Sequence, residues 1–142
     1  MSIPFFSVVT PSWNQGEWLD GCIASVLAQG VADFEHIVFD NCSTDDTAAV
    51  LARHPHLIAR SEPDRGQSHA LNKAFALARG EIICWLNADD RYLPGAFDIV
   101  RREFARPGVD VIFGDAEEDW CDGQPPRVRK ARFERREDFL VW

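Results

Sequence analysis

Three segments, far apart in the chain, carry side chains suited to chemistry. Trp85-Leu86-Asn87-Ala88-Asp89-Asp90 runs from an apolar stretch straight into an acidic cluster. Carboxylates placed so closely raise each other's pKa unless a cation or a donor compensates. Oxygen ligands of this kind suit Mg2+ or Mn2+, which keep several waters and take one or two carboxylates plus substrate phosphates. The same residues equally serve to cap a helix beginning near Pro94, so this segment alone does not decide. Asp40 closes a second apolar stretch and precedes Asn41-Cys42-Ser43-Thr44-Asp45. There it either accepts a ring N–H from a nucleobase or closes an Asx turn. In the third segment, Asp64-Arg65-Gly66-Gln67, Arg65 suits a phosphate or carboxylate, and Gly66 admits close backbone approach before a helix N-terminus. An exposed surface turn is the simpler use of those residues. No G-x-x-x-x-G-K-[ST] loop is present, and no G-x-G-x-x-G follows the first apolar stretch.

The elements that must position these residues read as alternating strands and helices. Strands are expected at residues 5–10 (ending at Pro11), 34–40, 56–60, 81–86 and 109–113. Helical spacing of Leu19, Cys22, Ile23, Val26 and Leu27, with Trp18 in the same stripe, predicts a helix over 16–29. A second helix follows Ser43 and Asp46, which stand at capping-box spacing. Ala70, Leu71, Ala74, Phe75 and Ala78 form a third stripe stopped by Gly80. Pro94 suits the first turn of a fourth, with Phe97, Val100 and Phe104 on its apolar face. Continuous apolar strands alternating with helices imply an α/β class, with a mainly parallel sheet covered by helices on both faces. Ligands of such sheets bind outside the carboxyl ends of the strands. Thr10, Asn14, Asp40, Glu62 to Arg65, Asn87 to Asp90 and Asp115 therefore converge on one expected edge.

Composition bounds the rest. The chain has 142 residues, 46% of them hydrophobic, enough for one domain with a buried core. Its net charge of −8 argues against nucleic acid as a partner. Apolar runs are far too short for a membrane span, and the start lacks the pattern of a secretory signal. Four cysteines without a C-x-x-C pair read as reduced thiols, and the scattered histidines carry no metal pattern. A cytoplasmic protein is expected. Residues 127–142 hold six basic and three acidic side chains, a change of composition that follows Gly123-Gln124-Pro125-Pro126. The expected organisation is a domain over 1–126 and a basic C-terminal segment over 127–142, able to touch the inner face of an anionic membrane.

Four blocks in order resemble glycosyltransferase family 2, the GT-A fold enzymes that use nucleotide-diphosphate sugars. The first is Ser7 to Gly16 with Ser25 to Gln29, and the second is Ile37 to Thr47 around Asp40-Asn41-Cys42-Ser43-Thr44-Asp45-Asp46. The third is Ser61 to Gln67, running through Asn72-Lys73 to Gly80-Glu81-Ile82-Ile83, and the fourth is Leu86 to Ala96. The resemblance implies a Rossmann-like nucleotide-sugar-binding domain. It places Thr10, Pro11 and Asn14 against the nucleotide, Asp40 on the base, and Asp64, Arg65, Gly66, Asn72 and Lys73 along the nucleotide and diphosphate. The D-x-D motif matches Asn87-Ala88-Asp89, with Asp89 the ligand of Mn2+ or Mg2+. Two residues depart from the pattern: Asn87 stands for the first Asp, and Cys42 for a usual Gly. The implied reaction moves a sugar from UDP, with inversion, to the hydroxyl of a saccharide, lipid-linked or protein acceptor. The family's usual base lies beyond Trp142, and Asp115 matches an acceptor-side position. The alternative is a catalytically incomplete module that binds nucleotide or nucleotide sugar.

Overall fold

The computed structural model describes residues 3–120 and 122–131. They fall into two compact units, Met1–Phe97 and Asp98–Trp142. In the first unit, β1 (Phe6–Ser12), β2 (Phe34–Asp40), β3 (Ile58–Ser61) and β4 (Ile82–Trp85) form one sheet in the order β3-β2-β1-β4. All three pairings are parallel. The crossovers are α1 (Gly16–Leu27), α2 (Thr47–Ala52) and α3 (Gln67–Leu77). Successive strand residues face opposite sides, so the buried strands need cover on both. Val9, Ile37 and Phe39 pack with Ala70, Leu71 and Ala74 of α3. Val38 turns the other way, onto Leu19 and Ile23 of α1 and Val50 of α2. The expected α/β sheet with helices on both faces is what forms.

Register places the functional edge. Ser12 pairs with Asp40, and Asp40 with Ser61, so three strands end flush. β1 runs through Pro11 instead of stopping there. Val9 O accepts from Leu86 N on the β4 side, and Ser12 O accepts from Asn41 N on the β2 side. Alternation then turns the position of Pro11's missing N–H toward β4, whose pairing has already ended at Val9↔Trp85. The ladder loses no bond, which is why proline is tolerated within a central strand.

Other expectations shift. α4 (Ala96–Phe104) begins after a turn at Pro94 and Gly95, so the proline precedes the helix instead of opening it. Residues 109–113 form no ladder among the described residues, and Val111 and Phe113 are 64% and 44% exposed. A run of β-branched residues expresses strand propensity, but a strand also needs a pairing partner. The second unit instead holds a small antiparallel pair, β5 (Ala116–Glu118) and β6 (Arg127–Arg129), joined through the expected turn at Gly123. Of the basic segment 127–142, residues 132–142 lie outside the described residues. Its described cations face carboxylates: Arg127 meets Asp122, Arg129 meets Glu118, and Lys130 meets Asp115. No described helix is long and apolar enough to cross a membrane.

The amino end of the sheet is closed by a buried charge. Glu35 Oε1 accepts from Ser7 Oγ at 2.6 Å and from Arg79 N at 2.7 Å. Its Oε2 takes the Arg79 guanidinium at 3.1 and 2.7 Å. Burial pushes the Glu35 carboxyl up, but the donors from Ser7 and Arg79 outweigh it and hold the group below the usual range. A depressed folded-state pKa contributes stability above the unfolded value of about 4.3 and loses it as pH falls. Glu35→Gln is therefore expected to cost about 2 kcal/mol at neutral pH. Urea denaturation should show that deficit shrinking once the pH drops below about 4.

Candidate functional site

Asp40 organises the carboxyl edge. It is 3% exposed, and Oδ2 accepts from Ser43 N at 3.1 Å and from Ser61 Oγ at 2.6 Å. Oδ1 accepts from Ser43 Oγ. The Ser43 hydroxyl in turn accepts from Asn14 N at 2.7 Å, and Asn14 Oδ1 accepts from Thr44 N at 2.9 Å. The loops after β1 and β2 are thus zipped together. Asn14 and Cys42 both adopt left-handed backbone, each with φ of 51°. Asn tolerates that region, whereas cysteine holds it at a cost of about 1–2 kcal/mol.

Asp45, not the expected Ser43–Asp46 box, secures the helix starts. Its Oδ1 accepts from Thr47 Oγ1 and N at 2.6 and 3.0 Å, and its Oδ2 from Gly16 N at 2.9 Å. Those donors, Thr47 first, hold its carboxyl below the usual range. Ser43 is unavailable because Asp40 has taken it, and Asp46 is an N-cap without a side-chain bond. A Cβ on Gly16 would sit 2.7 Å from Thr47 N, so only glycine lets the two helix starts approach this closely.

The loop before α3 is built the same way. Asn41 Oδ1 accepts from Asp64 N at 2.8 Å, and Asp64 Oδ1 accepts from Gly66 N at 2.7 Å. Gly66 has φ of 108°, a conformation that favours glycine. The Arg65 backbone is held by His69 Nδ1 at 3.1 Å, while its guanidinium is exposed with no partner among the described residues. Asn72 is exposed on α3. Lys73 is committed to its own loop, 2.7 Å from Glu62 and 2.8 Å from Pro63 O.

At the end of β4, Asn87 Oδ1 accepts from Gln67 Nε2 and Trp85 Nε1, each at 2.9 Å. Its Nδ2 donates to Asp90 Oδ2 at 3.0 Å. Burial raises the Asp90 carboxyl, the Asn87 bond opposes it, and the Asp89 charge adds to the rise. Ala88 is fully buried, packed in the core with Leu19 and Ile23. Asp89 is exposed, and its carboxylate has no hydrogen bond or ion pair among the described residues. Asp40 ends β2 and Asp89 follows four residues after the end of β4, on the same edge of the parallel sheet; β1 separates the two strands, which stand about 10 Å apart at the usual spacing.

Some expected residues are spent internally. Thr10 is fully buried and its hydroxyl meets His36 Nε2 at 2.9 Å. Burial, with His56 and His54 adding, pushes the His36 imidazole down to about 3, so the ring is neutral. Pro11 is buried too. Asp115 lies in the second unit just before β5, not past a strand of the parallel sheet, bonded to Lys130 Nζ at 2.6 Å and Ala131 N at 3.0 Å. Trp18 and Leu27 do not join the core stripe of α1, being 43% and 45% exposed. Ser12, Ser61, Gln67 and Trp85 carry polar groups to this edge that sequence reasoning passed over. Their signal was position alone, at or just past a strand end.

A divalent ion suits this donor set only in part supplied by protein. The uncommitted Asp89 carboxylate offers hard oxygens, and no group of three or more His, Cys, Asp or Glu is assembled among the described residues. Mg2+ and Mn2+ commonly complete their shells with substrate phosphates and water, so the fit holds.

Set against known proteins, the geometry finds its family. The profile of glycosyl transferase family 2 matches residues 7–139. The chain belongs to that family. It is 33% identical over 108 residues to the chondroitin synthase of Escherichia coli, covering 73% of this chain and 16% of that one. It is 34% identical over 94 residues to a putative teichuronic acid biosynthesis glycosyltransferase of Bacillus subtilis, covering 63% and 37%. Among solved structures it resembles a mannosyltransferase of Pyrobaculum calidifontis in complex with GDP-mannose and Mn2+, with 27% identity and a TM-score of 0.66. That likeness covers 77% of this chain and 34% of the other. The chain thus spans well under half the length of these relatives.

Relief of the left-handed strain at position 42 is measurable. Cys42→Gly is expected to stabilise the fold by about 1 kcal/mol, the backbone gain less glycine's entropy cost. The urea midpoint should rise with an unchanged slope.

Proposed function

We propose that this chain binds a nucleoside diphosphate sugar, UDP being the nucleotide, and supplies the donor half of a glycosyltransferase. The observation that carries the reading is an uncommitted carboxylate, Asp89, on the same sheet edge as the serine-bound Asp40. A carboxylate has about four acceptor sites, and Asp40 has filled three, leaving one for a ring N–H of the base. The N-terminus of α3, with the exposed Arg65 beside it, suits the diphosphate through free backbone N–H groups and a fixed positive charge. Asn72, one turn on, extends that wall. Lys73 holds the Glu62–Pro63 loop in place without reaching a phosphate.

In this reading a hydroxyl of a saccharide, lipid-linked or protein acceptor attacks the anomeric carbon, and the nucleoside diphosphate leaves with inversion. A bound Mn2+ or Mg2+ would neutralise charge developing on the leaving diphosphate. Asp89 orients that group, Asn87 fixes the neighbouring Asp90, and the backbone at Ala88 completes the loop. Asp115 is not proposed as the base, because Lys130 and Ala131 already claim both of its oxygens. A cytoplasmic site of action fits the reading, and the pairing of Arg127, Arg129 and Lys130 with carboxylates disfavours strong membrane attraction.

One observation favours a binding module without turnover: Asn87 replaces a carboxylate with an amide whose oxygen accepts two bonds and whose nitrogen donates one. UDP release with and without acceptor separates the two readings. For the donor site itself, calorimetry should show UDP binding at least about tenfold tighter with Mn2+ than with EDTA. Asp89→Ala should abolish that difference while leaving the metal-free affinity nearly unchanged. Equal affinity with metal and with EDTA in the unaltered chain would overturn the proposal.

A further inference from the structure

Between the first turn of α1 and α2 lies an open hollow of about 750 Å³. Its walls include Glu17, Trp18, Asp46 and Arg53, and it reaches the donor edge at Asn14 and Asp45. Neither Asp40 nor Asp89 lines it. The volume falls within the range of small-ligand sites, about 300–1,000 Å³. Trp18 gives it a flat apolar wall, exposed although Leu19, Cys22, Ile23 and Val26 fill the buried stripe of the same helix. The polar groups around the indole have spare capacity. Glu17 and Asp46 are exposed, and their carboxylates have no partner among the described residues. Arg53 gives one nitrogen to Asp20 at 3.2 Å, and a guanidinium has five donors.

We propose that this hollow is a saccharide subsite, beside the donor edge but outside Asp40 and Asp89, that takes an uncharged pyranose of a glycan. The axial C–H face of such a ring lies on the Trp18 indole, and its hydroxyls donate to Glu17 and Asp46 and accept from Arg53. Charge selects within the class. Glu17, Asp45 and Asp46 outnumber Arg53, so a uronate or phosphorylated sugar meets repulsion and a neutral one does not. The inference rests on the glycosyltransferase reading only for the choice of a glycan as ligand.

The five tryptophans provide separate reporters, assigned in 1H–15N spectra by single Trp→Phe variants. Cellotetraose is the probe, because β-linked glucose carries every hydroxyl equatorial and leaves its axial C–H faces clear. The Trp18 indole signal should shift and saturate, and the Trp85 signal should stay in place. Asp46→Ala, which removes no bond of the fold, should weaken binding about fivefold, the worth of one hydrogen bond. Trp18→Ala should abolish binding in calorimetry while the other four indole signals report an intact fold. UDP with diamagnetic Mg2+ should move Trp85, whose Nε1 bonds Asn87, and leave Trp18 unmoved. A silent Trp85 with a titrating Trp18 would overturn the donor reading and leave this subsite standing. A Trp18 signal unmoved by cellotetraose, or moved by choline in its place, would overturn the subsite. Undiminished affinity in both Trp18→Ala and Asp46→Ala would overturn it equally.

Discussion

A carboxylate buried at the end of a strand must be given donors, and most of the carboxyl edge follows from how Asp40 obtains them. Leaving such a charge unpaired costs several kcal/mol, roughly the stability of a small domain. Asp40 therefore draws in Ser43 from its own turn and Ser61 from the end of β3. Recruiting Ser43 forces the intervening Cys42 into left-handed backbone. It also orients the Ser43 hydroxyl to receive Asn14 N, which ties the loop after β1 to the loop after β2. One electrostatic requirement thus fixes three loops that the sequence keeps far apart.

The sheet carries a buried charge at each end and a neutral polar pair between them. At the amino end Glu35 is matched by the Arg79 guanidinium, a charge-for-charge solution. At the carboxyl end Asp40 is matched by hydroxyls and a backbone N–H, which leave its negative charge uncompensated. In the middle, Thr10 and a neutral His36 satisfy each other within the sheet. The contrast bears on function. A carboxylate already paired with arginine has little to offer a ligand, whereas one held only by dipoles keeps its field for an incoming N–H.

Periodicity and punctuation were enough to read the architecture. The run from Phe34 to Asp40 is a strand of the expected length, and the apolar spacing of Leu19, Cys22, Ile23 and Val26 faces the sheet as expected. Parallel topology then made the shared edge legible, since every strand of such a sheet ends on one side. Partner choice was not legible. Ser43 and Asp46 stand at capping-box spacing, yet Asp40 outcompetes the helix for Ser43 and Asp45 takes over the cap. Trp18 lies within the helical stripe by count, but it stands on the open hollow between α1 and α2. Residues 109–113 have strand composition without a ladder, because pairing depends on a neighbour that no local pattern encodes. Glu35 and Arg79 are 44 positions apart, and nothing near either residue announces the other.

The exchange of Asp for Asn at position 87 is more than the loss of one charge. Asn87 both accepts, from Gln67 and Trp85, and donates, to Asp90. A carboxylate could do the first but not the second, and beside Asp90 it would add repulsion to a group whose burial already resists ionisation. The amide turns a potential cluster of three carboxylates into an ordered bracket, with Asp90 tethered and Asp89 left free. A loop so arranged offers a divalent ion one unencumbered carboxylate and leaves the rest of its shell to the diphosphate and water. In the proposed donor site, affinity for metal and affinity for nucleotide are then coupled, since neither ligand finds a complete site without the other.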